Sequence, residues 1–153
     1  MRKIICFALA LFCLLCLCAC GETEAPEKLA LQALYEDFLP SMPEMLVTED
    51  AMRESFLGVK SADCAQCICA ISAEGLRADE IWLIEATDTD ALDRLIALAN
   101  NRLTAKKEEA SFYSPDQFAI CEDGRILTSG LYMAFIVSPE ADALEKAFLD
   151  AAA

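Results

Sequence analysis

The sequence predicts an α+β fold, with a mostly antiparallel sheet of about five strands and helices packed on it. Three observations predict it. Apolar residues recur at helical spacing near both ends of the chain and at strand spacing between them. The links between successive strand candidates are short, which favours antiparallel neighbours. Gly, Pro and short polar residues fall between the periodic stretches and punctuate them.

The N-terminus lies outside that fold. Met1-Arg2-Lys3 is a cationic head, and Ile4 to Leu17 is apolar without a break. Leu17-Cys18-Ala19-Cys20 closes the segment with a small residue before a cysteine. The apolar run is shorter than the roughly 20 residues that a membrane-spanning helix needs. The closing box resembles the lipobox, in which the cysteine thiol takes a diacylglyceryl group and becomes the new N-terminus. Residues 1–19 are therefore expected to be a lipoprotein signal peptide, with Cys20 the lipidation site. Residues 20–27 follow as a tether that spans at most about 25 Å. Residues 28–153 make a single domain, long enough for a real core. The expected address is the extracytoplasmic face of the cell membrane.

The elements then follow in order. Lys28 to Leu39 carries Leu31, Leu34, Tyr35 and Phe38 at helical spacing, and Pro40 and Pro43 end it. Thr48 is expected to cap a short second helix that turns Met52 and Phe56 inward and stops near Gly58. Cys64 to Ser72 reads as the first strand, and Ala73-Glu74-Gly75 as a turn. Glu80 to Ala86 reads as the second strand, with β-branched and aromatic content. Thr87 with Asp90 has capping-box spacing. The long helix after it places Leu92, Leu95, Ile96, Ala99 and Leu103 on one face, with Lys106 and Lys107 suited to its C-terminal dipole. Phe118 to Cys121 reads as a third strand, and Asp123-Gly124 as a type I′ hairpin turn. Arg125 to Thr128 returns as the fourth strand. Ser129-Gly130 turns again, and Leu131 to Val137 is the fifth. Ser138-Pro139 caps and opens a last helix with proline at its first position, and Leu144, Ala147 and Phe148 form its buried stripe.

Composition excludes several functions. Formal charge is −14, and removing Arg2 and Lys3 with the signal takes it to −16. So acidic a domain is a poor nucleic-acid binder, because phosphate neutralisation needs clustered Lys and Arg. There is no histidine. That removes Ser-His-Asp and Cys-His catalysis and histidine metal ligands.

Of nine cysteines, Cys6, Cys13, Cys16 and Cys18 lie in the signal and Cys20 is the lipid site. Cys64, Cys67, Cys69 and Cys121 remain in the domain. They read as buried small hydrophobes, as a disulfide involving Cys121, or as a metal or redox group. On a strand, Cys67 and Cys69 share one face while Cys64 points to the other, so three ligands converge only across a bulge. Asp79-Glu80 invites an acid–base reading, but adjacent strand residues face opposite ways, and a polar strand start is the plainer reading. Trp82, Ile84 and Ala86 share one face of the second strand, with Ile81 and Leu83 on the other. The fifth strand is also apolar on both faces. Helices cover both faces, or one face around Trp82 and Tyr132 meets a partner.

Tyr35, Ala78-Asp79-Glu80-Ile81, Tyr113-Ser114-Pro115 and Gly130-Leu131-Tyr132 resemble the family called domain of unknown function 4358, over about residues 28 to 150. The resemblance implies a small secreted lipoprotein of Gram-positive, often anaerobic, bacteria. It implies no activity and no catalytic residues, and it does not include the cysteine cluster. The expected function is a non-enzymatic, lipid-anchored module that binds a protein or small-molecule ligand. Its alternative is an enzyme or a metal or redox protein using Cys64, Cys67, Cys69 and Cys121. No pattern asks for an organic cofactor.

Overall fold

A computed structural model describes residues 28–153. The expected signal peptide, lipidation site Cys20 and tether all fall outside the described residues. The domain is α+β, with five strands in one sheet. Helix α1 (Leu31–Phe38) leads to the edge strand β1 (Met45–Val47). A short helix α2 (Asp50–Met52) continues as a π-turn, Arg53–Leu57. Strands β2 (Cys64–Ser72) and β3 (Glu80–Ala86) precede the long helix α3 (Thr89–Ser111) and helix α4 (Pro115–Glu122). Strands β4 (Arg125–Ser129) and β5 (Tyr132–Val137) precede helix α5 (Ala141–Ala151). The sheet order is β1-β2-β3-β5-β4, and every neighbouring pair is antiparallel.

The central strand β3 explains why the sequence is apolar on both faces there. Trp82, Ile84 and Ala86 pack with Met133 and Phe135 beneath α3, where Leu92, Leu95 and Ala99 point inward. Ile81 and Leu83 pack with Ala134 and Ile136 beneath α1 and α5, against Leu31, Phe38, Leu144 and Phe148. Helices therefore cover both faces, and the fold has three layers around two cores. Full burial of one such aromatic or aliphatic side chain contributes about 1.5–3 kcal/mol, so both layers matter to stability.

Several expectations need correction. Phe118–Cys121 is not a strand but part of α4. The Ser114 side chain accepts the Gln117 N–H and caps that helix, and Pro115 sits at its first position. Asp123-Gly124 is therefore no hairpin turn. It ends α4, where the Gly124 N–H donates to the Cys121 carbonyl. The fifth strand of the sheet is instead β1, which Pro43 and its short length hide. The helix-stopping glycine is at Gly58 as expected, with φ +76°. Met52 and Phe56 point outward, however, and Leu57 is the buried residue of that turn. Thr48 does not cap α2. Its hydroxyl donates to the Cys69 carbonyl and ties β1 to β2. Asp88, not Thr87, caps α3 by accepting the Ala91 N–H. Ser138 accepts the Glu140 N–H, and α5 starts only at Ala141, so Pro139 precedes the helix.

Candidate functional site

A cavity of about 290 Å³ opens at the end of the sheet where β2 hands over to β3. Its walls come from the connecting loop (Glu74, Arg77), the start of β3 (Asp79, Glu80), the C-terminal half of α3 (Arg102, Lys106, Glu109), and the aromatic residues Phe56 and Tyr113. At about 290 Å³ it sits at the small end of ligand pockets, which run roughly 300–1,000 Å³.

The pocket is built around Glu80, whose side chain is wholly buried. Trp82 Nε1 donates to Glu80 Oε1 at 2.9 Å, because residues two apart on a strand share a face. Arg102 Nη2 and Lys106 Nζ both donate to Glu80 Oε2 at 2.8 Å, and Arg102 Nε lies at 3.0 Å from each oxygen. Arg102 and Lys106 are four apart and so project from one side of α3. Lys106 thus serves the pocket and not the helix dipole, because α3 runs on to Ser111. Phe56 lies 4.9 Å under the Arg102 guanidinium.

Asp79 is also wholly buried, and Arg77 Nε donates to its Oδ2 at 3.0 Å. That hydrogen bond holds the Arg77 pKa above its ordinary value. Asp79 lies one residue before β3, where its carbonyl accepts the Ser72 N–H at 2.9 Å and carries on the β2–β3 pairing, and both residues belong to the cavity lining. Helix α4 fixes the loop from the other side, where Gln117 Oε1 accepts the Ala78 N–H at 2.7 Å. Burial, then the Glu109 carboxylate, raises the Tyr113 pKa.

A family model described as a domain of unknown function, DUF4358, matches residues 40–138. The chain belongs to this family. The matched span holds the whole sheet and every pocket residue. No curated protein matches the chain, and no solved structure does. In this DUF4358 domain, Ala78-Asp79-Glu80 and Tyr113-Ser114-Pro115 meet at the pocket or at the helix that buttresses it. Tyr35 and Gly130-Leu131-Tyr132 serve the opposite face and the other end of the sheet.

The sequence-derived candidates fall elsewhere. Cys64, Cys67 and Cys69 do share a face, because a register shift between Cys64 and Gln66 turns Cys64 towards the other two. This overturns the expectation that Cys64 points away. Cys67 Sγ and Cys69 Sγ stand 3.7 Å apart, and Cys64 Sγ donates to the Lys60 carbonyl at 3.4 Å. Contact with Cys67, then burial, pushes the Cys64 thiol far up. For Cys67, the lowering contact with Cys64 is outweighed by Cys69 and burial, and its thiol is pushed up to about 12. All four cysteines of the domain are free thiols. Cys121 is buried in the same core, and burial raises its pKa. Among the described residues, no three acidic or cysteine side chains gather as a metal site. Trp82 and Tyr132 do not form a free face. Trp82 is wholly buried beneath α3, and Tyr132 lies on the opposite face, where its hydroxyl accepts the Leu29 N–H.

Proposed function

We propose that this DUF4358 protein is a lipid-anchored module at the extracytoplasmic face of the cell membrane, which binds a small solute in the Glu80 pocket and performs no catalysis. The observation that carries the binding reading is the Glu80–Arg102–Lys106 cluster. Removing such a network of charges from water costs several kcal/mol per ion, and apolar residues of similar volume often stabilise a fold as well or better. A buried ion cluster at the wall of a cavity is thus better accounted for by recognition than by stability. The anchoring reading rests on the lipobox at Leu17 to Cys20 and the short tether behind it.

Trp82 supplies the assay, since it is the only tryptophan and its indole N–H is bonded to Glu80. Small solutes of different charge classes are titrated into the full lipidated protein in detergent, and tryptophan emission is read. A saturable change with one class supports the pocket, and silence with all classes removes it. In cells given a labelled fatty acid, Cys20→Ala should abolish label incorporation, because alanine has no thiol to take the diacylglyceryl group whose two chains make anchoring stable. A labelled variant would remove the anchor.

A further inference from the structure

We propose that the pocket recognises a small zwitterion, a molecule with a carboxylate and an ammonium group on a short carbon frame, of the size and kind of a free amino acid. The inference rests on the pocket being a ligand site and names its ligand class.

Charge placement carries it. The inner wall holds Asp79 and Glu80, both wholly buried, against Arg77, Arg102 and Lys106. Three cations face two carboxylates, so the wall carries one positive charge without a direct counter-ion, inside a domain of strongly negative net charge. Among the described residues, Nη1 of Arg77, Nη1 of Arg102 and two protons of Lys106 have no partner. Arginine forks and a lysine ammonium suit a carboxylate. The remaining lining reverses the sign. Glu74 and Glu109 line the same cavity, are exposed, and pair with no cation among the described residues. A simple anion would meet those two carboxylates, and a simple cation would meet the surplus positive charge. A zwitterion satisfies both. Phe56 and Tyr113 stand in the same lining, where their rings can flank an apolar side chain or an ammonium. The cavity is large enough to admit a molecule of that kind.

The test uses the full lipidated protein in detergent, with calorimetry and Trp82 emission. The probes are L-alanine and L-leucine, the matching carboxylates propionate and 4-methylpentanoate, and the matching amines ethylamine and 3-methylbutylamine. At least one amino acid should bind, and its affinity should fall roughly tenfold or more when either charged group is missing, as expected for a lost charge-assisted hydrogen bond. Glu109→Gln, an exposed position that should not disturb the fold, should weaken the amino acid and leave the carboxylate no weaker, since it removes a repelling charge. Lys106→Gln should weaken both. A carboxylate that binds as well as its amino acid overturns the zwitterion and keeps the pocket. An amine that binds as well does the same with the opposite sign. No binding of any probe by a folded protein overturns the inference. The pocket reading falls with it only if the wider solute panel is also silent.

Discussion

Glu80→Ala is the most informative single change. It removes the acceptor for Trp82 Nε1, Arg102 and Lys106 together. Breaking a buried ion pair by deleting one partner costs about 3–5 kcal/mol, because the other charge stays in a poor solvent. Arg102 keeps 22% of its side-chain surface and Lys106 only 11%, so water recovers part of that cost for Arg102 and little for Lys106. The orphaned indole N–H adds about 1–3 kcal/mol. A net loss of about 4 kcal/mol follows, against a total stability of about 5–15 kcal/mol for a domain of this kind. Urea unfolding followed by far-ultraviolet circular dichroism measures it without relying on the perturbed tryptophan. Glu80→Gln should lose about half as much, since its amide oxygen still serves Trp82. Glu145→Ala is the control. Its carboxylate is one of three that fan around Arg125 on the surface, and its loss should cost at most about 1 kcal/mol. If Glu80→Ala stays within about 1 kcal/mol of the wild type, the cluster is not the buried linchpin described above.

Three further outcomes are expected. Ser114→Ala should cost about 1 kcal/mol by stripping the cap from α4, and hydrogen exchange should rise first at Gln117. Stability should fall as pH drops below the usual carboxylate range. The Arg94 hydrogen bond holds the Asp63 pKa down, and for Glu85 burial pushes upward but is outweighed by the bonds from Gln66 and Lys28 and the Lys28 charge together. Both folded-state values are depressed, so the stabilisation is present above the unfolded pKa and is lost as pH falls through the folded one. Asp63→Asn should flatten that acid limb in urea titrations at stepped pH. Cys67 should be alkylated by iodoacetamide at pH 8 roughly a thousandfold more slowly than a free cysteine, because so little of it is thiolate. Mass spectrometry of the time course checks this, and rapid labelling would show a thiol poised for chemistry.

Most of the fold was legible because periodicity reports burial directly. The stripe of α1, the inward face of α3 and the two-sided apolar character of β3 and β5 all follow from spacing, and the glycines that turn the chain at Gly58 and Gly130 do have positive φ. The errors have physical causes. Ser114-Pro115-Asp116-Gln117 carries a serine cap, a first-position proline and a glutamine at capping-box spacing, yet Phe118-Ala119-Ile120-Cys121 is too short an apolar run for its period to separate helix from strand. Ser138-Pro139 has the same start and lacks the glutamine, and there the helix opens later. The sequence predicts five strands and the sheet has five, but the third predicted strand is helix α4, and β1 takes the vacant place. A three-residue edge strand beside Pro43 leaves almost no pattern to read.

The pocket was far less legible, and the reason lies in how side chains reach it. Asp79 and Glu80 are consecutive, so an alternation rule splits them. Both nonetheless belong to one cavity lining, because the cavity opens at the strand's end, where the connecting loop folds over it. Arg102 and Lys106 sit on a helix whose end the sequence leaves open, and a lysine there reads as a dipole partner until the helix is seen to continue for another turn. Phe56 is exposed because the π-turn Arg53–Leu57 breaks the helical spacing that would turn it inward, and Tyr113 is exposed on the turn after α3. What joins these residues is long-range: a carboxylate on β3 bonded to cations 22 and 26 positions away. Such pairings cannot be read from local spacing, but they leave one trace in the composition. In a domain with so few cations, three of them line a single cavity. Random scatter of charge over a soluble surface would not concentrate the scarce sign against two buried carboxylates. Stability does not require it, because apolar side chains would fill that space at lower desolvation cost. The concentration is therefore the feature of this domain that most needs a function to account for it.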